Sequence, residues 1–178
     1  NSILSRQKGN SLILFVFIGI ILFFSIMRPN TFLTINNLFT VARQVSMLGI
    51  AAVGMTIVII VGGFDLSVGS MQGLVGVLVA SFMVNYNMPI FLAIILTVII
   101  GAVIGFINGT IITRLNVNPF ITTLSAMTII KGIAFAYTGA FPVYGFDERF
   151  QFLGRGYLFE IFPVPVLIML FIFLLGIF

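Results

Sequence analysis

Cysteine and histidine are both absent from the 178 residues. Their absence excludes thiolate chemistry, zinc sites built from the usual ligands and imidazole acid–base catalysis. Charge is scarce as well: 7% of residues are charged, four acidic and eight basic. The basic residues occur singly, a pattern that belongs to membrane topology and offers no nucleic-acid surface. Nor is there a Gly-x-x-x-x-Gly-Lys-Ser/Thr run, whose backbone amides would cradle nucleotide phosphates. The chain is therefore not expected to be an enzyme or to carry a cofactor of its own.

What fills the sequence instead is apolar: 61% of residues are hydrophobic and the mean hydropathy is +1.30, which marks an integral membrane protein. With about 20 residues needed per helical span, the pattern predicts an all-α, polytopic transmembrane helix bundle of about six spans. They fall at 11–27, 46–63, 66–84, 89–112, 119–138 and from Pro163 to the end, within a single membrane domain covering 1–178. The first run follows Arg6 and Lys8, but "FFSIMRPNTF" offers no small-x-small cleavage site, so it reads as a retained span. The mixed stretch "TFLTINNLFTVARQVS" predicts a short interfacial helix ahead of the second span, with Thr34 or Asn36 as its cap. Asp147, Glu148, Arg149, Arg155 and Glu160 make 139–162 an expected aqueous loop. Arg6, Lys8 and Arg114 would face the cytoplasm, with Arg28, Arg43 and that loop outside, so the N-terminus is expected inside. A start at Asn1 and an end at Phe178 within "VLIMLFIFLLGIF" lead us to expect a fragment of a longer protein.

Small and polar residues interrupt this apolar background. Gly101, Gly105 and Gly109 share one face of the fourth span, and Gly69 and Gly73 one face of the third. Such stripes let helices approach closely, and they also suit a bundle that bends and rocks. Within "IIVGGFDLSVGSMQG", Gly62 and Gly63 are suited to end one helix and Asp65 to cap the next, within reach of the Ser67 and Val68 amides. A helix N-terminus also favours the carboxylate's charge. Alternatively, the break lies in the membrane, where Ser67 and Ser70 meet a polar solute; the two readings are compatible. In "RLNVNP", Asn116 and Asn118 supply turn and cap chemistry and Pro119 suits a first helical turn. Thr122, Thr123 and Ser125 bond helix carbonyls or face a polar channel. Lys131 snorkels, pairs with a carboxylate or lines a wet path. The 21 Phe residues are read as packed or lipid-facing, none as a sugar platform.

Two long motifs carry a family resemblance. "VGMTIVIIVGGFDLSVGS" resembles the segment that characterises permease subunits of bacterial ABC importers of the ribose, xylose and galactose type, within the branched-chain permease superfamily. Gly62, Gly63, Asp65, Leu66, Ser67, Gly69 and Ser70 match it. "INGTIITRLNVNPFITTLSAMTIIKGIA" resembles a second family pattern, on Asn108, Gly109, Pro119, Phe120, Ile121, Thr123, Leu124 and Gly132. Phe64 stands where Ile is usual and Ser125 where Gly is usual, and the family's Ala-rich, acidic ATPase-docking segment is not in these residues. The resemblance implies a pathway subunit for a monosaccharide or sugar-like solute in the bacterial cytoplasmic (inner) membrane. Its implied partners are a cytoplasmic ATPase, a periplasmic or extracellular sugar-binding protein and a second permease copy. The residues singled out for the pathway or its helix break are Gly62, Gly63, Asp65, Ser67, Ser70, Asn108, Pro119, Phe120 and Thr123. Three other readings compete. An autonomous channel or secondary carrier has only Asp65 and Lys131 as intramembrane charges. An intramembrane enzyme lacks a catalytic constellation, and a truncated fragment would insert without transporting.

Overall fold

The computed structural model describes residues 2–159 and 161–177, with side chains from 12 to 159 and from 161 to 176. Asn1, Glu160 and Phe178 lie outside the described residues, as do the side chains of Arg6 and Lys8. The chain forms two compact units, Asn1–Val45 and Ser46–Phe178.

In the first unit, α1 runs over Ser2–Met27 and α2 over Pro29–Phe32, with Pro29 in the first turn, where its missing N–H costs nothing. The rings of Phe24 and Phe32 stack with centroids 5.8 Å apart across this corner. Thr34 then starts the next helix: its hydroxyl accepts from the Asn37 amide at 3.4 Å and donates to the Thr31 carbonyl at 2.9 Å. That helix, α3, is continuous over Ile35–Ile60, so the separate interfacial helix expected before residue 46 does not form. No Pro or Gly occurs between 35 and 48 to interrupt it. The Arg43 guanidinium bonds along the helix itself, donating to the Phe39 carbonyl and the Thr40 hydroxyl, each at 3.3 Å.

The second unit is organised by α4 (Val68–Val84), α5 (Ile90–Arg114) and α6 (Pro119–Thr138). Short connections at 85–89 and 115–118, with Asn87 and Asn116 in the left-handed region, fold the three into consecutive antiparallel hairpins. This leaves α4 and α6 parallel. Leu74, 2% exposed, sits at the centre of their contact, among Ala126, Ile130 and Ala134, with Ile104 of α5 against it. A second cluster, Val79, Met83 and Ala93, joins α4 to α5. Of the glycine stripes, only Gly101 comes up against a neighbour, where a Cβ would lie 3.7 Å from Val75 Cγ2. Gly69, Gly73, Gly105 and Gly109 have open space beside them. The stripes are thus not the packing seams we expected, because large residues such as Leu74 and Ile130 make the seam.

The segment 139–162 is more ordered than a loop. It holds α7 (Glu148–Arg155) and a two-stranded antiparallel hairpin, β1 (Tyr157–Leu158) and β2 (Phe162–Pro163). Asp147 Oδ1 caps α7 by accepting the Arg149 amide at 2.7 Å. Phe146 and Phe150, four residues apart, pack against the Val79–Met83–Ala93 cluster. The last helix, α8 (Val164–Ile177), approaches the later part of α3: a Cβ on Gly49 would come within 2.5 Å of Met169 Sδ, and one on Gly176 within 2.6 Å of Val53 Cγ1.

All six apolar segments are helical. Among the described residues, α3, α5 and α6 are long and apolar enough to cross a membrane, while Leu12–Met27, Val68–Val84 and Val164–Gly176 are shorter apolar helices. The architecture is an all-α membrane helix bundle.

Truncating Leu74 to Ala should lower stability by about 2–5 kcal/mol, because the parallel α4–α6 seam closes around it. Leu74→Met should cost less than about 1.5 kcal/mol. Thermal melts of the purified protein in detergent check the order; equal melting points would contradict this account of the core.

Candidate functional site: the helix break at 61–67

α3 ends in a double closing turn. The Gly62 amide donates to the Ile59 carbonyl and the Gly63 amide to the Val58 carbonyl, both at 2.9 Å. Gly62 takes φ +85°, which a residue without a Cβ adopts at no steric cost. The chain then runs without helix through Phe64 and Asp65. One carboxylate oxygen of Asp65 accepts both the Ser67 amide, at 2.7 Å, and the Ser67 hydroxyl, at 2.6 Å. Ser67 is 1% exposed, and its carbonyl takes the Met71 amide at 2.8 Å to begin the α4 ladder. Regular helix starts at Val68, so Asp65 secures the turn that leads into α4. Its carboxylate bonds with Ser67 on both groups instead of spanning Ser67 and Val68.

The start of α6 lies against this break. Asn118 caps it, its side-chain oxygen accepting the Phe120 amide at 2.9 Å, and Pro119 holds the first position. Thr122 Oγ1 donates to the Asn118 carbonyl at 3.2 Å. The Thr123 hydroxyl has two acceptors, the Pro119 carbonyl at 2.8 Å and the Phe64 carbonyl at 3.2 Å. With one proton to give, it is shared between its own helix and the break. Thr123 is 2% exposed. This bond joins two motifs that lie 59 residues apart in the chain.

Asn108 belongs to the same end of the bundle. Ile104, one turn before it on α5, packs against the cluster around Leu74, which sets Asn108 a turn closer to the break. It is 8% exposed, and its Nδ2 has no hydrogen-bond partner among the described residues. Ser67, Asn108, Thr122 and Thr123 are thus buried polar residues at this end of the bundle. Gly62, Gly63, Asp65, Ser67, Pro119 and Thr123 come together at the break. Ser70 faces a groove between α4 and α6 instead. Phe120 is 55% exposed and contributes its backbone amide to the Asn118 cap.

Sequence reasoning missed a second polar tie, at the far end of the same helices. Ser81 and Tyr137 share a hydrogen bond of 2.8 Å between their hydroxyls, and Asn85 Nδ2 donates to Ser81 Oγ at 2.9 Å. The pKa of Tyr86, in the connection after α4, is raised above the ordinary tyrosine value by its interaction with Tyr137, hydrogen bonding first and charge second. The spacing of Ser81 and Asn85, four residues apart on one helix face, was the available signal. The groove beside Lys131 was also missed, although Lys131 itself stood out as an intramembrane charge.

These features define a multi-pass helical membrane protein whose polar groups converge at a broken helix and offer hydrogen bonds. Residues 37–178 match the family described as branched-chain amino acid transport system / permease component, and the chain belongs to that family. Its relatives include the ribose import permease of Bacillus subtilis, 44% identical over 172 residues, covering 96% of this chain and 52% of the relative. The ribose import permease of Haemophilus influenzae is 40% identical over 171 residues, covering 94% of this chain and 51% of the relative. The galactose/methyl galactoside import permease of Escherichia coli is 40% identical over 166 residues, covering 85% and 48%. The chain spans about half the length of these curated relatives. No solved structure matches it.

Replacing Asp65 by Ala should remove both bonds to Ser67 and lower stability by about 1 kcal/mol, whereas Asp65→Asn, which keeps an acceptor oxygen, should lose less. Melting temperatures of the two variants test this. If Asp65→Asn is as damaging as Asp65→Ala, the carboxylate's charge and not its geometry matters at the break.

Proposed function

We propose that this chain forms part of the translocation pathway of an ATP-driven importer, passing a monosaccharide or sugar-like solute across the bacterial cytoplasmic membrane. The observation that carries the reading is the hydrogen bond from Thr123 to Phe64, which brings the two motifs together at one helix break. Broken helices lined by unpaired backbone and hydroxyl groups are where transporters handle polar solutes. The printed names of the relatives, permeases for ribose and for galactose, supply the solute class.

In this reading the chain acts as a single permease domain, binds no cofactor of its own and hydrolyses no ATP. A separate cytoplasmic ATPase drives the cycle, and a periplasmic or extracellular sugar-binding protein delivers the solute. Two permease copies face each other to form the pore, with the N-terminus on the cytoplasmic side. The substrate-facing groups would be Asp65, Ser67, Asn108 and Thr123 at the end of the bundle that holds the break, with Ser70 in the α4–α6 groove, while Gly62, Gly63, Pro119 and Phe120 shape the backbone around them.

The test is uptake of radiolabelled ribose and galactose by proteoliposomes that hold the full-length permease with the ATPase and binding protein of its own system. ATP-dependent accumulation is the expected result, abolished when ATP is replaced by a non-hydrolysable analogue. Uptake at the same rate without ATP would instead make the protein a channel or a secondary carrier, and no uptake of any sugar would sink the assignment.

A further inference from the structure

Beside the Leu74 seam, Gly69, Ser70 and Gly73 of α4 line a groove with Lys131, Phe135 and Thr138 of α6, and Ala134 is shared between groove and seam. The groove's volume is about 590 Å³, within the ~300–1,000 Å³ range of small-molecule sites. The two glycines have open space where a Cβ would stand, so packing does not close this wall. Ser70 is half-buried and its hydroxyl meets no protein partner among the described residues. Thr138 donates its proton to the Ala134 carbonyl at 3.0 Å, which leaves its oxygen free to accept.

Lys131 is the charge in this groove. Among the described residues its partner is the Phe135 ring, with Nζ 5.8 Å from the centroid, a contact that steadies an ammonium without neutralising it. It lies twelve residues after Pro119 and seven before Thr138, so about 18 Å and about 10 Å of helix separate it from the two ends. A charge at that depth faces water or a polar partner, because acyl chains cannot solvate it.

We infer that the α4–α6 groove is a wet, solute-handling stretch of the pathway, in which Lys131 and Ser70 hydrogen-bond the hydroxyl groups of a monosaccharide. The positive charge there also disfavours cationic solutes such as amino sugars. This assignment rests on the reading of the chain as a sugar permease, and it adds Lys131 and the groove to the residues named at the break.

These 178 residues hold no cysteine, so single-cysteine variants are made after replacing any cysteine found elsewhere in the full-length permease and its partners. Lys131→Cys, Ser70→Cys and Thr138→Cys are compared with Phe106→Cys and Ile129→Cys, whose side chains are exposed on outward helix faces. Each full-length variant is assembled with its ATPase and binding protein in proteoliposomes and treated, during ATP-driven turnover, with the uncharged 2-hydroxyethyl methanethiosulfonate. The groove positions should react about tenfold or more faster than the outward pair, because thiolates form in water and not among acyl chains. Saturating D-ribose or D-galactose, whichever the parent imports, should slow them. Ser70→Cys and Thr138→Cys retain the lysine, so they report on the groove even if Lys131→Cys fails to assemble. Groove cysteines as slow as the outward pair would overturn the inference, and so would fast labelling that neither sugar slows. The parent's own uptake separates the two levels: import with either failed pattern removes this assignment alone, whereas no import removes the functional reading beneath it.

Discussion

Between Val61 and Ser67 the backbone leaves one helix and enters another, and the rest of the architecture depends on how its polar groups are satisfied there. A membrane protein cannot leave such groups to lipid, where each unpaired donor or acceptor costs several kcal/mol. The closing turn at Gly62 and Gly63 absorbs two carbonyls of α3, Asp65 takes the Ser67 amide and hydroxyl, and Thr123 reaches across from α6 to the Phe64 carbonyl. Without that last bond the break would be a local turn. With it, the start of α6 is tied to the point where α3 gives way to α4.

The same logic runs along the parallel pair α4 and α6. Their middle is apolar, closed by Leu74 against Ala126 and Ile130. Each end is tied by a buried hydroxyl, through Thr123 to the break and through Ser81 to Tyr137. Two polar ties at opposite ends of an apolar seam favour one register of the pair, because sliding by one turn would break both long-range bonds and leave each hydroxyl only its local partner. The pair therefore acts as one body. The groove beside the seam carries Gly69, Gly73 and Lys131, and is where the two glycines leave open space.

Features decided within a few residues were legible in the sequence. The Gly62–Gly63 stop, the Thr34 and Asn118 caps and Pro119 at a first helical position all follow from backbone conformations that those residue types favour locally. Features decided by partners far along the chain were not. Nothing near Thr123 points to Phe64, 59 residues away, and nothing in the glycine spacing says which helix face the larger residues will claim. The continuity of α3 was not legible, because the change from mixed to apolar composition near residue 46 imitates a boundary although no residue there breaks a helix. The segment around α7 was missed because its charges outweighed the cap at Asp147 and the Phe146–Phe150 anchor that fold it. The two family motifs were individually visible, but their meeting point was not.

The central claim is that Thr123 holds the break in place, and amide hydrogen exchange by mass spectrometry, comparing Thr123→Val and Thr123→Ser with the parent, tests it most directly. Loss of a bond of about 1 kcal/mol should speed exchange across 61–67 by about fivefold in Thr123→Val. Thr123→Ser, which keeps the hydroxyl, should match the parent, and α5 should be unaffected in both. Exchange across 61–67 that is unchanged in Thr123→Val, or equally fast in both variants, would contradict the account.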